Sequence, residues 1–165
     1  MKRYFLFLLL FLFLSNNLYA NENIINTISI DGIQRIDKET VTSYANVSKG
    51  DVYTEEIGNK VLRNLFETNL FSNIQISFEA NILNIKIQEN PTINLVKFYG
   101  NSKIKDEDLE IEISLKERSV YSRSKVKKDI ERMLSLYQRA GRLSTEIDPK
   151  LEMLDNNRVN LNYEI

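Results

Sequence analysis

Side chains able to do covalent or metal chemistry are scarce in this chain. It contains no His and no Cys, so the common nucleophile–base pairs and zinc sites cannot be assembled. Carboxylates and cations remain. The run DEDLEIE, residues 106–112, has the composition of a metal site or a carboxylate pair. Acids at the start of a helix are favoured by its macrodipole, however, and the run reads as a cap and a solvated face. The other local feature is basic: Arg118, Arg123, Lys125, Lys127, Lys128, Arg132, Arg139 and Arg142. Anionic lipid headgroups or an acidic partner would suit such a cluster. Asp129 and Glu131 are interleaved with it, and Lys127 and Glu131 are spaced for an i,i+4 pair, so an ordinary solvated helix face explains it as well. No catalytic residue, metal or cofactor is expected.

The remaining chemistry is that of the backbone, which depends on the elements that present it. The first of these is not part of the fold. Lys2 and Arg3 precede an unbroken apolar run from Phe5 to Leu14, and the polar stretch SNNLYA closes at Ala20. Ten apolar residues fall short of the roughly 20 that span a bilayer, so residues 1–20 read as a cleaved secretory signal peptide. No Cys follows Ala20 to carry a lipid anchor. Without Lys2 and Arg3 the 22 basic residues become 20 against 23 acidic ones, a net charge of −3. An exported, mildly acidic chain is not a nucleic-acid binder. Lacking disulfides, it must be stabilised by apolar burial, in one domain or two small ones.

Internal similarity favours two. ISIDGIQRI (28–36) matches VKFYGNSKI (96–104), with Gly32 on Gly100, and Val52 and Tyr53 match Val120 and Tyr121, all at an offset of 68. NILNIKI (81–87) matches NRVNLNY (157–163) at an offset of 76. Two copies of about 70 residues therefore follow the signal peptide, at 21–91 and 92–165.

Each copy reads strand, helix, helix, strand, strand. In the first, Ile28 and Ile30 alternate as a half-buried strand that Gly32 ends. Asp37 caps a short helix carrying Val41 and Ala45, and Thr54 caps a longer one carrying Ile57, Val61, Leu62 and Leu65. Gly58 inside that helix costs about 1 kcal/mol relative to Ala, which predicts close packing or local softness there. Asn69 stands where the helical pattern fails and suits a left-handed C-cap. Ile74, Ile76 and Phe78 then alternate as a strand, and Leu83, Ile85 and Ile87 as its hairpin partner. In the second copy Asp106 caps the short helix with Leu109 and Ile113 inward. Ser122 caps the long helix, whose buried face is Val126, Ile130, Leu134 and Tyr137, and Gly141 ends it. A strand over 145–153, interrupted by Pro149, and one through Val159, Leu161 and Tyr163 complete the copy.

In this order the motifs LFETNLFSNIQI and NIKIQENPTI resemble POTRA domains, the periplasmic modules of the BamA family of outer-membrane assembly proteins. Thr68, Asn69, Leu70 and Phe71 lie where that family has Thr-Gly-Leu-Phe. Ile85, Ile87, Glu89, Pro91 and Ile93 fit its module boundary, and Tyr137 and Gly141 its second long helix. The resemblance implies an α+β fold of two tandem modules, each β-α-α-β-β with a three-stranded mixed sheet covered on one face by two helices. It also implies a non-enzymatic periplasmic scaffold joined to the outer membrane through a C-terminal barrel, which makes this chain a truncated piece. The implied partners are unfolded outer-membrane protein clients, accessory assembly proteins and the barrel. The POTRA region of a two-partner secretion or related translocation transporter is an alternative, as is a stand-alone periplasmic binding module.

A three-stranded sheet leaves two open edges, whose unpaired N–H and C=O groups can receive an extended guest strand of almost any sequence. The resemblance makes the strand after the long helix an edge. The docking candidates are therefore Ile74, Gln75, Ile76, Ser77 and Phe78 in the first copy and residues 145–153 in the second, where Pro149 blunts the edge.

Overall fold

The computed structural model describes residues 23–165, so the reading of residues 1–20 lies outside the described residues. No described helix is long and apolar enough to cross a membrane. The first sheet is built from β1 (Thr27–Asp31), β2 (Phe71–Glu79) and β3 (Ile82–Glu89), in the order β1-β3-β2. β1 runs parallel to β3 and β2 antiparallel. Helices α1 (Lys38–Ala45) and α2 (Glu55–Glu67) connect β1 to β2. The second sheet repeats the plan with β4 (Thr92–Tyr99), β5 (Asp148–Leu154) and β6 (Arg158–Glu164) in the order β4-β6-β5, and with α3 (Asp106–Glu112) and α4 (Arg123–Arg139). This is the α+β arrangement of two tandem modules with mixed three-stranded sheets.

Alternation sets which face of each sheet is buried. Across the first sheet Ile30 pairs with Ile85 and Ile85 with Ile76, while Ile28, Leu83 and Phe78 form the next row. These rows meet Val41 and Ala45 of α1 and Val61 and Leu65 of α2 in a single core. A separate core in the second module gathers Leu109, Val126, Met133, Leu161 and Tyr163. Asp37 accepts from the Thr40 backbone N–H at 2.7 Å and Thr54 from that of Ile57 at 3.2 Å, which starts α1 and α2. Gly58 is buried, and a Cβ there would stand 2.7 Å from the Tyr53 hydroxyl. Close packing therefore accounts for this glycine, with the Tyr53 ring stacked on Phe78 at 4.4 Å. The β2–β3 hairpin turns through Ala80 and Asn81, both at positive φ, as a two-residue turn requires if it is to match strand twist.

Several expectations need correction. Asp106 does not cap α3: Lys105 is the last extended residue, at φ −72° and ψ 155°, and Asp106 is already helical. Its carboxylate instead accepts from the Asn101 side chain at 2.5 Å. Ser122 occupies the cap position of α4 but makes no capping bond. The buried stripe of α4 runs through Val126, Asp129, Met133 and Tyr137, so Met133 takes the place expected of Leu134. β5 begins at Asp148 rather than at residue 145.

The repeat itself also shifts. Ile30 pairs with Ile85, whereas its counterpart Phe98 pairs with Tyr163, so the last strands correspond at an offset of 78 and not 76. A register irregularity between Ile93 and Leu95 accompanies the slip. A two-residue slip keeps every side chain on its own face of the sheet, which is why the alternating pattern could not expose it.

Candidate functional site

β2 is hydrogen-bonded to β3 alone and forms one edge of the first sheet. Ile74 is buried and Ile76 and Phe78 are half-buried against the helices, while Gln75 and Ser77 face solvent. The apolar side chains of the predicted segment thus belong to the core, and what it offers outward is its backbone. Beside it runs a groove of about 250 Å³ between α2 and β2, lined by Tyr53, Gly58, Asn59, Leu62, Ile74 and Ile76. An extended segment laid on β2 would find its own backbone partners and a shallow channel of mixed polar and apolar lining beside them.

β5 is the corresponding edge of the second sheet. Pro149 pairs with Tyr163, and Ile76 with Ile85, so at the offset of 78 Pro149 is the structural counterpart of Ile76. Leu151 and Met153 share the helix-side face with Pro149, yet Met153 is 67% exposed. The cluster of cations is partly engaged: Arg132 pairs with Asp129, and Arg139 with Glu112 at 3.3 Å. Lys127 and Glu131 form no ion pair among the described residues, contrary to their spacing.

Two residues that could do acid–base chemistry in isolation prove to be structural. Glu89 ends β3 with its side chain fully covered. Its Oε1 accepts from the backbone N–H groups of Gln34, Arg35 and Ile36 at 2.8, 2.9 and 3.1 Å, and its Oε2 pairs with Arg35 Nε at 3.1 Å. Burial alone would raise its pKa, but these donors outweigh burial and hold the carboxyl below the usual range. The loop that leaves β1 is therefore clamped to the end of β3. Asp129, fully buried on α4, was read from sequence as part of a solvated face. It accepts from Ser114 N and Oγ, both at 2.8 Å, and from Leu115 N at 3.0 Å. The signal that could have revealed it is its place three residues after Val126 and four before Met133, on the apolar stripe itself.

Between the sheets lies a cleft of about 500 Å³ with Phe66 and Asn69 on the first module and Tyr121, Arg123, Leu151 and Met153 on the second. Asn69 follows α2 at φ 59°. Its Oδ1 accepts from the hydroxyls of Ser122 at 2.9 Å and Ser124 at 2.8 Å, on the far side of the cleft. Sequence reasoning assigned Asn69 only to the helix end and missed this second contact, which adjacent positions in the chain do not encode. Gly32 and Gly100 occupy matching places: a Cβ would fall 1.9 Å from the carbonyl oxygen of Ile87 in one and 2.2 Å from that of Ile165 in the other.

Comparison with known proteins places this geometry. Residues 91–165 match the POTRA family model, described as surface antigen variable number repeat. Solved structures with the same fold include the N-terminal domain of Omp85 from Thermosynechococcus elongatus, at a TM-score of 0.63 and 13% identity, covering 85% of this chain and 61% of that one. Another is POTRA1-2 of the periplasmic domain of Omp85 from Anabaena, at a TM-score of 0.56 and 17% identity, covering 85% and 92%. The chain therefore carries a POTRA domain over residues 91–165, and the sheet that precedes it repeats that fold. In sequence the chain is also similar to outer membrane protein assembly factors. The outer membrane protein assembly factor BamA of Neorickettsia risticii is 28% identical over 155 residues, 93% of this chain and 21% of the relative. That of Neisseria meningitidis serogroup B is 24% identical over 144 residues, 86% and 18%. The chain spans about a fifth of the length of these curated relatives.

Proposed function

We propose that the two modules are a periplasmic scaffold for the assembly and insertion of outer-membrane β-barrel proteins, and that the β2 edge over Ile74–Phe78 receives client segments as an added strand. The matched relatives bear the name of outer membrane protein assembly factors, which supports the process. The observation that carries the docking reading is that β2, nine residues long and free of Pro and Gly, pairs on one side only. Main-chain bonds to such an edge supply affinity with little demand on guest sequence, as a module serving many clients requires. Accessory assembly proteins and a C-terminal membrane barrel are the further partners of this reading. The barrel holds the scaffold at the outer membrane.

The test is a titration of the isotopically labelled chain with unlabelled strand peptides from outer-membrane proteins, following amide resonances. Shifts concentrated in residues 74–78 are expected, and no shifts at millimolar peptide would leave only the scaffold role. Ile76→Pro removes one backbone donor from the edge. The second module already accommodates Pro149 at the matching position, so the variant is expected to fold and to lose most of the peptide-induced shift.

A further inference from the structure

The connection between the two sheets is short. β3 ends at Glu89 and β4 begins at Thr92, leaving only Asn90 and Pro91 between them. Neither residue is loose. The Asn90 backbone N–H donates to Leu70 O at 2.8 Å, its Nδ2 to Asn69 O at 3.0 Å, and its carbonyl accepts from Arg35 Nη2 at 2.6 Å. From the second module, Asn157 Nδ2 donates to Glu89 O at 3.2 Å. These bonds pin the linker but still leave rotation about it to be fixed from further away.

Asn69 does this. A residue at φ 59° is most cheaply Gly, and Asn is among the few others that tolerate the left-handed region. What Asn adds is a carboxamide, and here both of its ends are engaged: Nδ2 donates to Glu67 O at 2.9 Å, which orients the amide, and Oδ1 lies within bonding distance of both serine hydroxyls, which are themselves 2.9 Å apart. Ser122 is 3% exposed and stands at the first turn of α4, where a serine ordinarily caps its own helix. Its hydroxyl is turned to the other module instead. The residue that ends the long helix of one module is thereby bonded to the residues that begin the long helix of the next.

We propose that the Asn69 carboxamide is an inter-module clasp that sets the orientation of α4 and β5 relative to α2, and with it the spacing of Phe66 and Met153 across the cleft. The clasp is indifferent to pH across the neutral range, because none of its three side chains titrates there.

The chain has no cysteine, so two can be introduced at will. Glu39→Cys on α1 and Glu131→Cys on α4, both exposed, would carry spin labels in the full chain for measurement of the inter-label distance distribution. Asn69→Gly keeps the backbone conformation and removes the carboxamide. The double variant Ser122→Ala, Ser124→Ala leaves Asn69 untouched and removes both donors. Each is expected to broaden the distribution at least twofold while the amide spectrum of both modules stays dispersed. A distribution as narrow as the parent's in either folded variant would overturn the proposal.

Discussion

Glu89 is enclosed by donors on every side its carboxylate presents, and it links the loop after β1 to the end of β3. Its value to the fold depends on its charge. With the folded pKa below the unfolded one, the stabilisation is fully present above the ordinary Glu pKa of about 4.3 and is lost as pH falls through the lower folded value. Glu89→Gln keeps the shape and removes the charge, so it should lower unfolding free energy near pH 7 by about 2 kcal/mol. It should also flatten the acid limb of stability against pH below pH 4.3. Urea unfolding at pH 7 and at pH 3.5 would show both effects, and a variant that kept the acid limb of the parent would remove Glu89 as its source.

At the scale of elements, close approach makes Gly32 irreplaceable. It sits at φ 89°, and a Cβ would overlap the Ile87 carbonyl. Gly32→Ala must open the β1–β3 pairing or strain the backbone, and a loss of about 2–3 kcal/mol is expected. Thermal unfolding would measure it; a neutral effect would mean that the strand end yields easily. Element order, both hairpins and the left-handed Asn69 could be read from period and turn residues, and the β2 edge from the family resemblance. What escaped reading has a common cause. The two-residue slip of β6 and the diversion of Ser122 from its own helix depend on contacts between distant segments. They leave the local period intact. Asp106 was misplaced by one residue because the acids at 106–108 give the same signal at any position in a first turn.

At the scale of the whole molecule, the described residues form two cores that share no buried residue, joined through polar contacts. Loss of packing in one should therefore stay in it. Leu65 is fully buried, and Leu65→Ala should cost the first module about 2–5 kcal/mol. Residue-resolved hydrogen exchange would show reduced protection for β1, β2 and β3, with protection in β4 and β6 changed by less than about 0.5 kcal/mol. An equal loss in both modules would mean that the pair unfolds as one unit. The seam then governs geometry rather than stability, and geometry is where its effect is amplified. α4 starts just after Ser122, against the clasp, and its 17 residues extend for about 25 Å. As a lever pivoted at its base, it converts a turn of about 10° into a sweep of about 4 Å at Arg139, close to the 4.8 Å between neighbouring strands. A single carboxamide at the fulcrum is thus enough to decide whether anything held against the far end of the second module stays in register with the first.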